Sequence, residues 1–260
     1  MIEKDIPETF SGVRYPLYEQ LYTPGDQVTQ KEVEAIIDLA RLQPNDRILD
    51  VCCGSGRHAL LLTKKKYSVD GIDVNPVAIE QAQQSVAHLP LPHPLFYLGD
   101  VRQLPRQYPT LSEQYDVALN LFSSFGYYND DQDQIAVLKA INHVLKPGGK
   151  LLLDLPNKEF IINNFQPTSE FRVDDLNATV TRVLINNRSR ITTTTIVTDG
   201  KKREELPVAM NIYDLSSISP LLRQGGFVIT DIRRDFIKGA EKFTPGDPTC
   251  RRMLILAKKQ

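Results

Sequence analysis

The sequence of 260 residues has no tryptophan, three cysteines and four histidines, and it lacks any long uninterrupted apolar run. No stretch approaches the ~20 apolar residues that a membrane-spanning helix needs. The first ten residues, MIEKDIPETF, carry neither the basic nor the apolar region of a signal peptide. We therefore expect a cytoplasmic protein with no membrane partner. Three cysteines cannot all pair, which fits a reducing compartment.

An excess of charge of either sign is also missing, since 31 Lys and Arg face 32 Asp and Glu. A net charge of -1 gives no general attraction for a polyanion, so nucleic acid is disfavoured as a partner. No metal is predicted, because the histidines lack the spacing of a metal site. These histidines are His58, His88, His93 and His143.

From residue 47 the chain alternates short β-rich apolar runs with longer segments of helical period. This alternation predicts a parallel sheet covered by helices. The predicted strands are 47–51, 67–73, 94–100, 115–121 and 150–156, and the predicted helices are 56–66, 76–87 and 132–149.

The alternation of strand and helix patterns stops at residues 170–198, which are rich in Thr, Val and Ile with polar residues between them. This pattern predicts antiparallel strands. A helix near 214–224 and strands at 227–234 and 252–259 then return to the α/β pattern. The predicted fold is thus α/β, a Rossmann-like doubly wound sheet of seven mostly parallel strands with an antiparallel β insertion. Its predicted parts are an N-terminal helical lid segment (1–45), a cofactor-binding core (46–157), an inserted antiparallel β substrate lid (158–213) and the C-terminal part of the core (214–260).

The stretch LDVCCGSGRHALLL (49–62) places Gly54 and Gly56 between a predicted strand and a predicted helix. Backbone N–H groups and a helix N-terminus can face a ligand there, and glycine allows its close approach. Ala59 completes G-x-G-x-x-A, and Asp73 ends the next strand where a ribose-binding acid is expected. A dinucleotide site is therefore one reading of this loop.

Two further acids favour a different ligand. Asp50 precedes Gly54 by four residues, where it would repel a pyrophosphate but attract an amino group. Asp100 ends the third strand and could accept hydrogen bonds from an exocyclic amine. Each acid has the alternative of being a helix cap or loop residue.

The pattern D-x-x-x-G-x-G with acids after strands two and three resembles that of the class I S-adenosylmethionine-dependent methyltransferases of small-molecule type. The resemblance implies S-adenosyl-L-methionine as cofactor and S-adenosyl-L-homocysteine as product. It implies that the backbone at Cys53, Gly54 and Gly56 binds the methionine part, with Asp50 at the amino end. The other implied contacts are Asp73 on both ribose hydroxyls, Val74 on the adenine face, Asp100 and the Val101 N–H on the adenine edge, and Asn120 near the methionine amino group and the reacting methyl.

Two segments rich in aromatic residues flank this predicted site. Residues 120–130, NLFSSFGYYND, should line the acceptor pocket, because open α/β sheets bind ligands at the carboxyl ends of their strands. Ser124, Tyr127 and Tyr128 are the candidate catalytic or substrate-contact residues there, unless this segment only packs rings on the sheet. In the N-terminal segment, Tyr15, Tyr18 and Tyr22 either close over the cofactor, with Tyr22 in contact with it, or pack as a hydrophobic helix.

The expected function is methyl transfer to a small-molecule acceptor by in-line displacement, in which proximity and alignment dominate. The segment 120–130 lacks the N/D-P-P-Y signature expected for methylation of nucleic-acid or glutamine amides. Two alternatives remain, a tRNA or rRNA methyltransferase and a cofactor-binding protein without methyltransferase activity. The protein is expected to be a monomer or a homodimer.

Overall fold

The computed structural model describes residues 9–10, 14–89, 94–200, 202–236 and 242–260. His93 and most of the first ten residues, on which the sequence-based expectations touched, lie outside these ranges. Within them, no helix is both long and apolar enough to cross a membrane.

The first half of the chain folds as alternating helices and strands. In chain order these elements are α1 (Tyr15–Tyr22), α2 (Asp26–Leu39), β1 (Arg47–Val51), α3 (Arg57–Lys64), β2 (Ser68–Asp73), α4 (Pro76–Val86), β3 (Phe96–Leu98), α5 (Leu104–Gln107), β4 (Tyr115–Asn120), α6 (Asp131–Val144) and β5 (Leu145–Pro156).

The second half adds a block of strands and then returns to the first sheet. Its elements are α7 (Lys158–Asn163), β6 (Thr168–Val173), β7 (Leu176–Ile185), β8 (Arg190–Thr198), β9 (Arg203–Asn211), α8 (Leu215–Gln224), β10 (Phe227–Arg234) and β11 (Arg252–Lys259).

The larger sheet has seven strands in the order β10-β11-β5-β4-β1-β2-β3. β11 runs antiparallel to both of its neighbours, and the pairings among β1 to β5 are parallel. The predicted Rossmann-like fold is therefore confirmed. The strand order reverses between β1 and β4, and such a reversal leaves a crevice at the carboxyl ends of the strands.

The boundary between α6 and β5 differs from the prediction, since α6 ends at Val144 and β5 begins at Leu145. Pro147 disfavours the helical conformation for Lys146, so the helix cannot reach the glycines. The early part of β5 pairs Leu145 with Tyr115 before the register shifts. Gly148 has a φ of 75°, which accommodates the irregular backbone.

The predicted antiparallel insertion is a separate sheet with the order β6-β7-β8-β9. Its strand β9 lies beyond the predicted run of strands. The charged start of β9 and Pro207 within it obscure the strand pattern, but Pro is tolerated because β9 is an edge strand. One face of this sheet packs on Leu21 of α1 through the buried side chains of Ala178, Val197 and Leu206.

Candidate active site

A cavity opens at the carboxyl ends of β1, β2 and β4. Most of the residues that the sequence singled out line it, but Gly56, Asn120 and Tyr22 do not. The predicted residues that line the cavity are Asp50, Cys53, Gly54, Asp73, Val74, Asp100, Val101, Ser124, Tyr127 and Tyr128.

The glycine loop owes its shape to two left-handed glycines, Gly54 with a φ of 57° and Gly56 with a φ of 78°. A Cβ on Gly54 would lie 2.7 Å from the hydroxyl of Tyr15. A Cβ on Gly56 would lie 2.9 Å from the ring of Phe96. Gly54 therefore keeps the cavity side of the loop clear, whereas Gly56 lets the loop pack against β3.

Asp73 fixes this loop to the end of β2. Its Oδ2 accepts a hydrogen bond from Gly54 N at 2.9 Å, and its Oδ1 accepts one from Asn75 N at 2.9 Å. Burial raises the pKa of the Asp73 carboxyl, although these backbone N–H groups oppose the rise. The two oxygens remain at the cavity wall, where their other lone pairs can accept further donors.

Asp50 is a buried acid with unused hydrogen-bonding capacity. It is 1% exposed, and within the described residues its Oδ2 has no hydrogen-bond partner. Burial raises its pKa to about 7, nearby Arg57 opposes this rise, and Asp73 adds to it. A buried acceptor of this kind is stabilised when a cationic donor reaches it.

Asp100 is already held by the protein at both oxygens. Its carboxylate pairs with the guanidinium of Arg102 at 2.7 Å, and it accepts a hydrogen bond from Arg102 N at 2.9 Å. Tyr128 donates its hydroxyl to Asp100 at 3.2 Å, and its ring stacks 4.1 Å from the Arg102 guanidinium carbon. The alternative role of Asp100 as a cap is thus present in the structure, beside its place in the cavity wall.

Three buried amide oxygens also lack partners in the part of the chain that the structure describes, those of Gln81, Asn120 and Gln134. Asn120 donates its Nδ2 to Val51 O at 3.1 Å, which leaves its Oδ1 unpaired. Gln134 donates its Nε2 to Tyr128 O at 2.8 Å, and its unpaired Oε1 belongs to a side chain that lines the cavity. Sequence reasoning missed Gln134, because it lies in an ordinary polar turn at the start of α6.

Sequence reasoning also missed Arg57, because an arginine at the first position of a helix after a glycine loop is expected to be a solvated cation. Its Nη1 donates to Thr29 Oγ1 at 2.9 Å and to Glu32 Oε2 at 2.5 Å. Its guanidinium carbon lies 4.9 Å from the centre of the Phe122 ring. Its Nη2 is buried and has no partner among the described residues.

Helix α1 closes one side of the cavity through polar contacts with the glycine loop. Ser55 N donates to the Tyr15 hydroxyl at 3.2 Å, and Ser55 Oγ donates to Glu19. The Tyr15 hydroxyl in turn donates to Glu19 at 3.3 Å. Burial and the nearby Glu19 raise the pKa of Tyr15, so its hydroxyl stays protonated.

A second cavity adjoins the first and shares the aromatic side chains of Tyr18, Phe122 and Tyr127 with it. Its outer wall is formed by the smaller sheet, including Arg182 and Thr195. Tyr22, predicted as a cofactor contact, lies in this second cavity, where its hydroxyl is 2.6 Å from Thr195 Oγ1.

Arg190 of β8 joins the smaller sheet to the segment after β4. It is 7% exposed and donates to the carbonyls of Tyr127 and Tyr128, each at 3.3 Å, and to Asn211 Oδ1 at 2.7 Å. Burial lowers its pKa. The two candidate tyrosines are therefore held in place from the insertion.

The vicinal cysteines carry no evident chemistry. Cys52 and Cys53 are free thiols, and burial raises the pKa of both well above the ordinary value. A thiol with such a pKa is a poor nucleophile and metal ligand. Within the described ranges, no group of three or more His, Cys, Asp or Glu side chains is arranged for a metal ion.

The sequence of this chain is similar to those of known methyltransferases. Residues 48–149 match a family model described as a methyltransferase domain. The putative methyltransferase YqeM of Bacillus subtilis is 32% identical over 161 residues, which cover 61% of this chain and 60% of that protein. The dTDP-3-amino-3,4,6-trideoxy-alpha-D-glucopyranose N,N-dimethyltransferase of Streptomyces venezuelae is 24% identical over 140 residues, which cover 53% of this chain and 55% of that protein. The chain thus spans little more than half the length of these curated relatives.

Structural similarity extends over more of the chain than sequence similarity does. The crystal structure of an S-adenosylmethionine-dependent methyltransferase from Clostridium acetobutylicum superimposes with a TM-score of 0.77 at 19% identity. The match covers 94% of this chain and 98% of that chain. Residues 48–149 are therefore similar to the methyltransferase domain, and the chain as a whole shares the fold of that S-adenosylmethionine-dependent methyltransferase.

Proposed function

We propose that the protein transfers a methyl group from S-adenosylmethionine to a small-molecule acceptor. The observation that carries this proposal is the pair of cavity-lining acids, the buried Asp50 and the partly buried Asp73, on either side of the Gly54 loop. A ligand with a cationic amino group at one end and a diol next to it satisfies both acids without placing a phosphate against either.

The cavity fits the rest of this cofactor by the chemistry of its walls. Asp73 would accept hydrogen bonds from the ribose hydroxyls, and Val74 offers an apolar surface for the adenine ring. At the far end, Asp100, the Val101 N–H and the unpaired Gln134 Oε1 offer one set of donors and acceptors for the adenine edge. When bound, the cofactor supplies an electrophilic methyl group on a sulfonium that is a good leaving group.

The candidate tyrosines are suited to alignment rather than to proton abstraction. Burial raises the pKa of both Tyr127 and Tyr128 well above the ordinary value, so their hydroxyls stay protonated near neutral pH. Ser124 donates its hydroxyl to Leu121 O at 2.7 Å. We infer that these residues orient the acceptor and exclude water, and that proximity supplies most of the rate enhancement.

The second cavity is the proposed acceptor site. It adjoins the first at Tyr18, Phe122 and Tyr127, so a bound acceptor would meet the cofactor at this aromatic wall. The smaller sheet encloses the outer side of this cavity, which suits a compact acceptor better than a polymer. The similarity to a methyltransferase named for an amino sugar supports a small-molecule acceptor.

Transfer of a labelled methyl group tests the proposal. The protein is incubated with methyl-labelled cofactor and either a metabolite extract or unmodified RNA, and we expect label in the small-molecule fraction alone. Label in RNA alone would make the protein an RNA methyltransferase, and tight binding without any turnover would make it a binding protein. Tighter binding of NADH than of S-adenosylhomocysteine would instead identify a dinucleotide site.

A further inference from the structure

The two cavities differ in the charge of their walls. The first cavity is lined by four carboxylate side chains, those of Glu19, Asp50, Asp73 and Asp100. The second cavity is lined by two arginines, Arg182 and Arg252, and by no Asp or Glu among the described residues. The second cavity therefore favours an anionic ligand, whereas the first disfavours one.

The charge of Arg252 is already balanced within the protein. Its Nε donates to Asp154 Oδ1 at 2.6 Å, and its Nη2 donates to Asp154 Oδ2 and to Ser123 Oγ. The Asp154 side chain is fully buried and also accepts a hydrogen bond from Phe122 N at 2.7 Å. Arg252 thus holds the turn after β4, and Asp154 cancels most of its attraction for a bound anion.

Arg182 has only neutral partners. Its side chain is partly buried, and its Nη1 donates to Ser169 Oγ at 2.9 Å and to Gln166 O at 3.4 Å. No carboxylate of the described residues pairs with it, and its other side-chain N–H groups donate to none of these residues. The wall of the second cavity therefore carries one uncompensated positive charge, with hydrogen-bond donors still available.

The register of the smaller sheet places Arg182 on the face that borders the second cavity. Arg182 lies opposite Thr193 of β8, and Thr193 lies opposite Val208 of β9; all three line the cavity. Side chains alternate between the two faces of a strand, so the residues two positions along share this face. They form the next row of the same cavity wall: Val180, Thr195 and Leu206. The guanidinium is therefore surrounded by hydroxyl and apolar groups.

The inner wall of the second cavity is aromatic and is shared with the first cavity through Tyr18, Phe122 and Tyr127. A ligand held by Arg182 at the sheet wall would direct its other end toward these rings. A carboxylate suits this wall, because its single charge matches one guanidinium and its two oxygens fit the planar N–H groups. A phosphate monoester carries about −1.5 to −2 at neutral pH, which one guanidinium does not balance.

We propose that the methyl acceptor is a carboxylic acid with an apolar body, and that the guanidinium of Arg182 binds its carboxylate. This inference rests on the proposed function and adds to it the chemical class of the acceptor. The carboxylate serves only as the anchor. A different atom of the acceptor bonds to the methyl carbon, the bond between methyl and sulfur breaks with its electron pair staying on sulfur, and any proton on the accepting atom passes to water.

A metabolite extract divided by charge tests the proposal. An anion-exchange resin splits the extract at neutral pH, and each fraction is incubated with the intact protein and methyl-labelled cofactor. We expect label only from the retained fraction, and we expect its acceptor to stay retained after phosphatase treatment. Alkaline hydrolysis should leave the label on the product, because a methyl ester of the anchoring carboxylate is not formed.

The retained fraction then serves as the substrate for matched variants. Arg182→Gln should lower kcat/KM by about tenfold or more, chiefly through KM, because a charge-assisted hydrogen bond is lost. Its calorimetric affinity for S-adenosylhomocysteine should stay within about twofold. Arg172→Gln removes an exposed arginine of the same sheet and should change neither quantity. If Arg182→Gln does not melt cooperatively, Arg182→Lys decides, with an intermediate rise in KM as the expected result.

The outcomes separate the inference from the proposed function. Label from the unretained fraction, loss of retention after phosphatase treatment, or release of label by alkali would overturn the inference and leave methyl transfer to a small molecule in place. Equal kinetics for the Arg182 and Arg172 variants would also overturn it. Absence of label from both fractions would overturn the proposed function itself.

Discussion

The individual residues that matter most here are buried polar groups whose hydrogen bonds are incomplete. Asp50 Oδ2 and Arg57 Nη2 are buried atoms without a hydrogen-bond partner among the described residues, and a ligand with matching groups would offset the cost of burying them. Asp73 differs, since its backbone partners satisfy part of its capacity in advance. Replacing Asp50 or Arg57 should therefore stabilise the protein while it weakens ligand binding. Replacing Asp73 should weaken binding without that gain in stability.

Asp50 should show this trade-off as a pH dependence. Its folded-state pKa of about 7 lies above the ordinary value of 3.8, so the folded protein binds this proton more tightly than the unfolded chain. Stability from this group is therefore lost as pH rises between about 4 and about 7. We expect Asp50→Asn to raise the melting temperature, and to do so more at about pH 8 than at about pH 5, while weakening S-adenosylhomocysteine binding.

The control is Asp116→Asn, because Lys146 and backbone contacts lower the pKa of Asp116 and keep it ionised across this range. Its effect on the melting temperature should be the same at both pH values. Each kcal/mol corresponds to about 2–4 °C in a domain of this size, so the difference is measurable. An effect of Asp50→Asn that does not change with pH would contradict the pKa assignment.

Asp73 yields a prediction about affinity. Asp73→Ala should weaken S-adenosylhomocysteine binding by at least about tenfold in calorimetry, because the ribose would lose hydrogen bonds to a charged group worth ~1.5–3 kcal/mol. Asp46→Ala removes a half-buried carboxylate at the opposite end of β1 and should not change the affinity. Unchanged binding in Asp73→Ala would remove the ribose assignment.

The sequence was informative about Asp50, Asp73 and Asp100 because each acid ends a predicted strand, and parallel strands bring their ends together. The sequence did not predict a role in the site for Arg57 or Gln134. The role of Arg57 depends on Glu32, which is 25 residues away on α2, and that of Gln134 depends on where α6 packs. Local pattern cannot supply such contacts between distant elements.

At the scale of elements, the smaller sheet is joined to the acceptor side by one buried arginine. Arg190 spans the gap between β8 and the backbone of Tyr127 and Tyr128, and Asn211 of β9 donates to the same Tyr128 carbonyl at 3.2 Å. The position of the candidate acceptor residues therefore depends on the insertion as well as on β4.

Arg190→Ala should destabilise the protein by about 1–3 kcal/mol, because it leaves buried carbonyl groups without a donor. Hydrogen exchange should be faster in residues 121–130 than in the intact protein. Arg188→Ala changes an exposed arginine in the preceding turn and should stay within about 0.5 kcal/mol. Similar melting temperatures for the two variants would show that Arg190 does not hold this segment.

The ends of helices and strands could be predicted from the sequence where the hydrophobic pattern is strong and where turn residues mark the end of the element. The predicted strands 227–234 and 252–259 coincide with β10 and β11. The predicted run of strands at 170–198 stopped short of β9, an edge strand that tolerates charge and proline within the predicted insertion. The predicted start of β5 was wrong, because tertiary pairing with Tyr115 extends the strand. In both places sheet context overrides local preference.

At the scale of the whole molecule, α1 connects the two sheets. Leu21 packs on the smaller sheet, and Tyr15 contacts the glycine loop of the larger one. The α/β order and the insertion were predictable from periodicity. The place of α1 between the two sheets was not, because it depends on hydrogen bonds and packing contacts with both of them.

Binding of a ligand in the first cavity should therefore also stabilise α1. At about 100 times its dissociation constant, S-adenosylhomocysteine should stabilise the protein by about 2.7 kcal/mol. Hydrogen exchange should slow in residues 15–22 and 52–57 together, whereas residues 43–46, which precede β1 at the end opposite the cavity, serve as the internal control. Protection of the glycine loop without protection of α1 would show that the helix is not coupled to the cofactor site.

Tyr18 lies in the walls of both cavities, with Tyr15 on one side of it and Tyr22 on the other. A displacement of α1 that widens one cavity therefore alters the other. The arrival of one ligand and the departure of the other then become linked events in time. Under the proposed function, we therefore expect the order in which cofactor and acceptor bind to depend on the position of α1.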